Sequence, residues 1–231
     1  MGSSSLTLRS EVTESKATIR PGLSRKLPTF DAVVGLLKSR SLSNQELSLY
    51  VEALLISSKS FQQLPVSKYQ LLLNATIEYG LVDQSTHIAH KLISNKVLIT
   101  TNTMIDLLTL ICTPHSDNDT SEVFDNTRAL SAALSILDVA IAHKHFISPQ
   151  VFTPLLKITG SVNNFKRIAR RMQGAQITVT TITFLFAMRS CELYGDIYEV
   201  LLLLQLMSSV VGEGVGMEGG YLTLLSLCAQ H

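Results

Sequence analysis

Gly160-Ser-Val-Asn-Asn-Phe-Lys-Arg-Ile-Ala-Arg-Arg-Met172 and Gly195-Asp-Ile-Tyr-Glu-Val-Leu-Leu-Leu-Leu-Gln-Leu-Met207 each run from glycine to methionine, and they start 35 residues apart. A third copy, Gly80-Leu-Val-Asp-Gln-Ser-Thr-His-Ile-Ala-His-Lys-Leu92, ends on leucine instead. Gly80 precedes Gly160 by 80 residues, two such periods with ten to spare. The surplus falls on the polar stretch 114–126, read as an insertion between two helices. A fixed period of this length marks one supersecondary unit repeated along the chain. Glycine at the end of a first helix supplies the left-handed conformation that closes it. A second helix then packs back antiparallel, and neither buries its apolar face until neighbouring pairs stack.

Outward from these copies the dominant period is helical. Phe30, Val33, Val34, Leu36 and Leu37, then Leu47, Tyr50, Val51, Leu54 and Leu55, fall on single apolar faces. Ser43-Asn44-Gln45-Glu46 reads as an N-cap with the acid of a capping box. Helices are predicted over 30–40, 43–57, 66–79, 81–94, 101–113, 127–144, 149–159, 162–173, 180–193, 196–210 and 219–229. The β-branched run Ile177–Thr183 is the only local strand candidate, and we read it as the start of a helix. The expected fold is all-α: a right-handed α-solenoid of about five stacked antiparallel helix pairs.

The chain has 231 residues, a net charge of +1, 46% hydrophobic and 16% charged side chains. This is too apolar for a mainly disordered protein and short of the charge a solvated surface carries. A uniformly basic nucleic-acid binder is excluded, although a local patch is not. Cys112, Cys191 and Cys228 are widely spaced, odd in number and set in apolar runs, so buried free thiols are expected instead of disulfides or a zinc site. No apolar run reaches the ~18 residues that span a bilayer. Residues 1–28 are rich in Ser and Thr and carry Arg9, Lys16, Arg20, Arg25 and Lys26. They read as a flexible arm or an import leader, against which Glu11 and Glu14 count, or in part as a tag remnant. The repeat domain is placed at 29–231, with its last helix, 219–229, unpaired.

Ile182-Thr-Phe-Leu-Phe-Ala-Met-Arg-Ser-Cys-Glu-Leu-Tyr-Gly195 through Met207 resembles a pentatricopeptide repeat. That family has a 35-residue unit, an opening apolar-Thr-aromatic, an inter-helix glycine and a closing methionine. Ser67-Lys-Tyr69-Gln70 through Gly80 fits the same frame, and Ile147–Met172 less closely. The resemblance covers about 65–229, with a degenerate repeat at 29–64; a tetratricopeptide frame fits worse. It implies RNA as the partner and a mitochondrial ribonucleoprotein as the setting, with another organelle or the cytoplasm as alternatives. It also implies base-reading pairs: Gln70 with Thr100, Ile105 with His145, Gln150 with Thr180, and Leu185 with Met217. The family favours Asn, Ser or Thr at the first position and Asp or Asn at the second, and each pair here departs from that. Ile105 and Leu185 have no group to offer a base edge, so contact with the RNA backbone is expected in place of base reading.

Charge distribution supplies the candidate surface for that contact. Between Asp138 and Glu192 there is no acid, whereas Lys144, Lys157, Lys166, Arg167, Arg170, Arg171 and Arg189 give +7. Beyond Arg189 no cation follows, and Glu192, Asp196, Glu199, Glu213 and Glu218 give −5. Lys166, Arg167, Arg170 and Arg171 are expected on one side of a helix, where they sit on phosphates, form a solvated face, or pair with the acidic neighbouring repeat. Other motifs carry less. Gly214-Val-Gly216-Met-Glu-Gly219 lacks the βαβ context of a dinucleotide loop and reads as a flexible connector. Asp117-Asn-Asp119-Thr-Ser-Glu122 lacks the turn glycine and distal Glu of a calcium loop. His87 and His90 share a helix face with no third ligand nearby. No nucleophile elbow occurs, and neither a cofactor nor a catalytic role is expected.

Two functions remain open: a non-catalytic helical-repeat subunit of an RNA–protein assembly, and a protein–protein scaffold without RNA contact. Solenoid ends need a polar cap, which Tyr221, Leu222, Leu224, Leu225, Leu227 and Cys228 do not form. Another protein subunit is therefore expected over the helix 219–229, unless the chain is a truncated product.

Overall fold

The computed structural model describes residues 30–39, 43, 46, 48–52, 65–113, 126–193, 196–212 and 217–230. The arm 1–28, residues 114–125 of the insertion read at 114–126, and Gly195 lie outside the described residues. Every regular element among the described residues is helical. The order is α1 (Phe30–Ser39), α2 (Val66–Glu78), α3 (Val82–Ser94), α4 (Thr101–Cys112), α5 (Asn126–Ala142), a 3₁₀ turn (Pro149–Phe152), α6 (Thr153–Lys157), α7 (Val162–Gly174), α8 (Thr181–Leu193), α9 (Ile197–Val211) and α10 (Met217–Gln230). Glu46 and residues 48–52 are helical as well. Their start carries the capping box: the Ser43 amide and hydroxyl donate to Glu46 Oε2 at 3.2 and 2.9 Å, and the Glu46 amide donates back to Ser43 Oγ at 3.4 Å.

The helices pack as pairs: α2 with α3, α4 with α5, the short α6 with α7, and α8 with α9. Within the same core α2 touches α4, α4 touches α6, α6 touches α8 and α8 touches α10, while α3 touches α5, α5 touches α7 and α7 touches α9. Leu72, Leu73, Ile88, Leu107, Leu108, Phe152, Phe165 and Phe184 are fully buried between them. Phe165 of α7 and Phe184 of α8 meet with ring centroids 4.6 Å apart and planes tilted by 40°, a favoured aromatic geometry.

Backbone closure repeats with the pairs. At Gly80, Lys96, Lys144 and Gln176 φ is positive, at 71°, 59°, 57° and 60°. Each amide donates to the carbonyl three residues back (Ile77, Ile93, Ile141, Gln173), and the next amide donates five residues back, to Thr76, Leu92, Ala140 and Met172. This is the Schellman closure. The period thus has a backbone cause at Leu92 and Met172, whose side chains are buried and whose carbonyls accept the terminal bond. Met207 is buried too, yet α9 runs on to Val211 and closes at Gly212 with φ 98°.

Three expectations need correction. The helix predicted over 149–159 is broken into a 3₁₀ turn and the five-residue α6. Pro154 has no amide to give Gln150, so the Thr153 amide donates to Gln150 O over three residues instead. The run Ile177–Thr183 is no strand, as read: residues 177–180 form no regular element and the helix begins at Thr181. Gly219 is no connector: it lies inside α10, where a Cβ would meet Leu185 at 3.0 Å, and one on Gly220 would meet Leu204 at 2.5 Å. Gly214 and Gly216 lie outside the described residues. Cys112 and Cys191 are buried, but Cys228 is exposed, because α10 buries Leu227 against its neighbours and leaves its outer side bare.

Candidate nucleic-acid interface

The four cations of α7 divide between solvent and the neighbouring pair. The helix is strongly amphipathic: Val162, Phe165, Ile168 and Met172 are buried, which leaves the cations between them on the outer faces. Lys166 and Arg170, one turn apart, are exposed, and no described residue bonds to either. Arg171 reaches α5 instead. Its Nε and Nη2 donate to the two carboxylate oxygens of Asp138, both at 2.9 Å, and its Nη1 donates to Arg167 O at 3.2 Å. This two-pronged geometry is the strong form of an ion pair. Arg167 Nη2 donates to Ser131 Oγ, also on α5, at 3.3 Å. The cluster is thus divided: Lys166 and Arg170 face solvent, while Arg167 and Arg171 tie α7 to α5 and not to the acid-rich repeat that follows.

The acid-rich C-terminal region meets the basic helix at its end, not at its side chains. Glu199 of α9 accepts the Val162 amide at 2.6 Å through Oε2. Ser161 Oγ accepts the Asn164 amide at 3.3 Å. Together they satisfy orphan donors in the first turn of α7, where a negative charge also opposes the helix dipole favourably.

Lys144 and Lys157 stand on other elements, Lys144 after α5 and Lys157 at the end of α6, both exposed. Lys144 lines a groove of about 1070 Å³ formed where α5 and α7 end and the 3₁₀ turn and α8 begin. Gln150 and Thr180, a base-reading pair by resemblance, line the same groove. Thr180 is also engaged at its own helix start, its amide donating to Thr183 Oγ1 at 3.2 Å. Gln70 and Thr100 serve structural ends: Gln70 Nε2 donates to Leu98 O at 3.0 Å, and Thr100 Oγ1 caps α4 by accepting the Thr103 amide at 3.2 Å. Ile105 packs against the core and Leu185 against Gly219 of α10, so these positions serve helix packing.

Sequence reasoning missed the groove walls. Phe146 is 86% exposed and Ile182 64% exposed, and Phe186 lies beside them. The readable trace was an apolar residue placed just beyond a helix end, at Phe146, and within the opening turn of the next first helix, at Ile182. It named His90 only as half of a histidine pair and missed its contact: Nε2 lies 3.2 Å from Ser135 Oγ of α5. Burial first, and then nearby His87, holds the His90 imidazole below its ordinary pKa, which favours a neutral ring between α3 and α5. Burial pushes the Cys112 and Cys191 thiols up to about 12, helped at Cys191 by the charges of Glu199 and Asp196. Among the described residues no three His, Cys, Asp or Glu side chains gather as a metal set, and no helix is long and apolar enough to cross a membrane. No protein-family model and no curated protein matches the chain.

Proposed function

We propose that the chain is a non-catalytic helical-repeat subunit of a larger RNA–protein assembly, pentatricopeptide-like and organellar, whose pairs stack as a right-handed α-solenoid. The 35-residue spacing of Gly160 and Gly195 and the recurring Schellman closures at Gly80, Lys96, Lys144 and Gln176 support the repeat. One observation carries the RNA contact: Lys166 and Arg170 stand exposed one turn apart on a helix that bears no carboxylate. Such a pair binds phosphate without reading bases. The departures at the reading pairs favour backbone contact over a one-base-per-repeat code.

A second reading, a scaffold that touches no RNA, is favoured by the face of α10, where Tyr221, Leu222 and Leu225 are 51%, 66% and 64% exposed. An exposed apolar row of this kind marks an interaction surface. Affinity purification with mass spectrometry, with and without ribonuclease, separates the two. Partners that leave on ribonuclease treatment and RNA that crosslinks to the chain are expected; an unchanged partner set without crosslinked RNA would favour the scaffold.

A further inference from the structure

The groove at the ends of α5 and α7 has features that RNA backbone contact does not use. Its floor and walls are largely aliphatic and aromatic, with Phe146, Ile182 and Phe186 reaching into solvent. Among the described residues, Lys144 and His145 are the only basic ones that line it, no carboxylate does, and none of the α7 cations reaches it. A nucleic-acid strand brings a phosphate with every nucleotide and needs a groove that tracks them with cations; one lysine and one histidine do not make such a track. An apolar side chain flanked by one or two carboxylates is the better match.

The backbone adds a second feature. Ser148 is extended, with φ −74° and ψ 147°, and the facing segment 177–180 is not helical either. The amides of Phe146 and Thr178, both exposed residues on the groove, have no partner among the described residues. Donors on exposed, non-helical backbone offer main-chain bonds to a chain laid alongside.

We infer that this groove docks an extended, acidic peptide segment of a partner protein, its apolar anchor held by Phe146, Ile182 and Phe186 and its carboxylate by Lys144. The inference does not rest on the RNA reading, since Lys166 and Arg170, which carry that reading, stand outside the groove. Lys144 also occupies a left-handed position where glycine is the less strained choice, so Lys144→Gly removes the charge while raising stability.

Peptides selected on the full chain from a random phage library are expected to share an aromatic or long aliphatic residue flanked by Asp or Glu. Fluorescence anisotropy of the synthetic consensus peptide should show affinity lowered about tenfold or more by Phe146→Ser. Lys144→Gly should lower affinity while raising Tm, and Lys166→Ala should leave affinity unchanged. Thermal melts confirm that both groove variants are folded. Failure of the library to enrich, a basic consensus, or affinity indifferent to both groove variants would overturn the inference. So would oligouridine that competes with the peptide and depends on Phe146, because the groove would then be a nucleic-acid face.

Discussion

Lys96, Lys144 and Gln176 hold left-handed backbone that side chains with a Cβ adopt at a cost. Replacing Lys96 or Gln176 by glycine is expected to stabilise the chain by about 0.5–1 kcal/mol, net of the added unfolded-state freedom, in urea melts. Gly80→Ala is expected to destabilise by about 1 kcal/mol from conformation alone, since a Cβ there meets nothing within 4 Å. Equal and unchanged stabilities would show that these turns are not left-handed in solution. The cysteines give an independent residue-scale readout. The thiolate is the reactive form, and Cys112 and Cys191 are buried with thiols pushed up to about 12. A thiol reagent at pH 8 should therefore modify Cys228 rapidly in the native chain and the other two only on unfolding. Rapid modification of Cys191 would contradict the packing of α8. Cys228 shows what a single sequence position conceals. It lies in the same kind of apolar run as the others, yet it is exposed, since no helix among the described residues covers that side of α10.

At the scale of elements, α7 is held at both its end and its side, by the Glu199 cap from α9 and the Arg171–Asp138 pair with α5. Glu199→Ala should cost about 1–2 kcal/mol, because a first-turn amide is left without its acceptor. Glu199→Gln, which keeps a carbonyl oxygen, should cost less. A urea titration of the two variants measures this, and an alanine variant as stable as the parent would remove the cap from the account. Element existence was legible in the sequence because apolar residues recur at helical spacing, as in Val162, Phe165, Ile168 and Met172. The capping box at Ser43 and Glu46 was legible for the same local reason. The break at Pro154 was written in the sequence as well, since a proline inside a helical pattern removes a known bond, and it went unread in the predicted helix 149–159. The split among the α7 cations was not legible. Spacing places Arg167 and Arg171 one turn apart, but only the position of α5 shows that Ser131 and Asp138 await them. The candidate groove was hidden for the same reason, as Phe146 and Ile182 are 36 residues apart and meet only when consecutive pairs pack.

At the scale of the whole molecule, the chain's charge balance of +1 resolves into distinct surfaces. The basic helix presents Lys166 and Arg170 outward, the acid-rich end caps that helix through Glu199, and α10 exposes an apolar row. Packed helix pairs favour this division, because a pair that packs on its neighbours leaves its remaining faces to solvent or partners. The central claim is that Lys166 and Arg170 hold RNA phosphate. Binding of a single-stranded oligouridine to the full chain across a salt series tests it most directly, with the Lys166→Ala/Arg170→Ala variant beside the parent. Arg171→Ala would confound that comparison, because it breaks the pair with Asp138. Removing one phosphate-holding cation lowers the slope of log affinity against log salt by about 0.7, so the double variant should bind more weakly with a slope shallower by about 1.4. An unchanged slope and affinity, or a parent chain that binds no RNA at low salt, would contradict the claim.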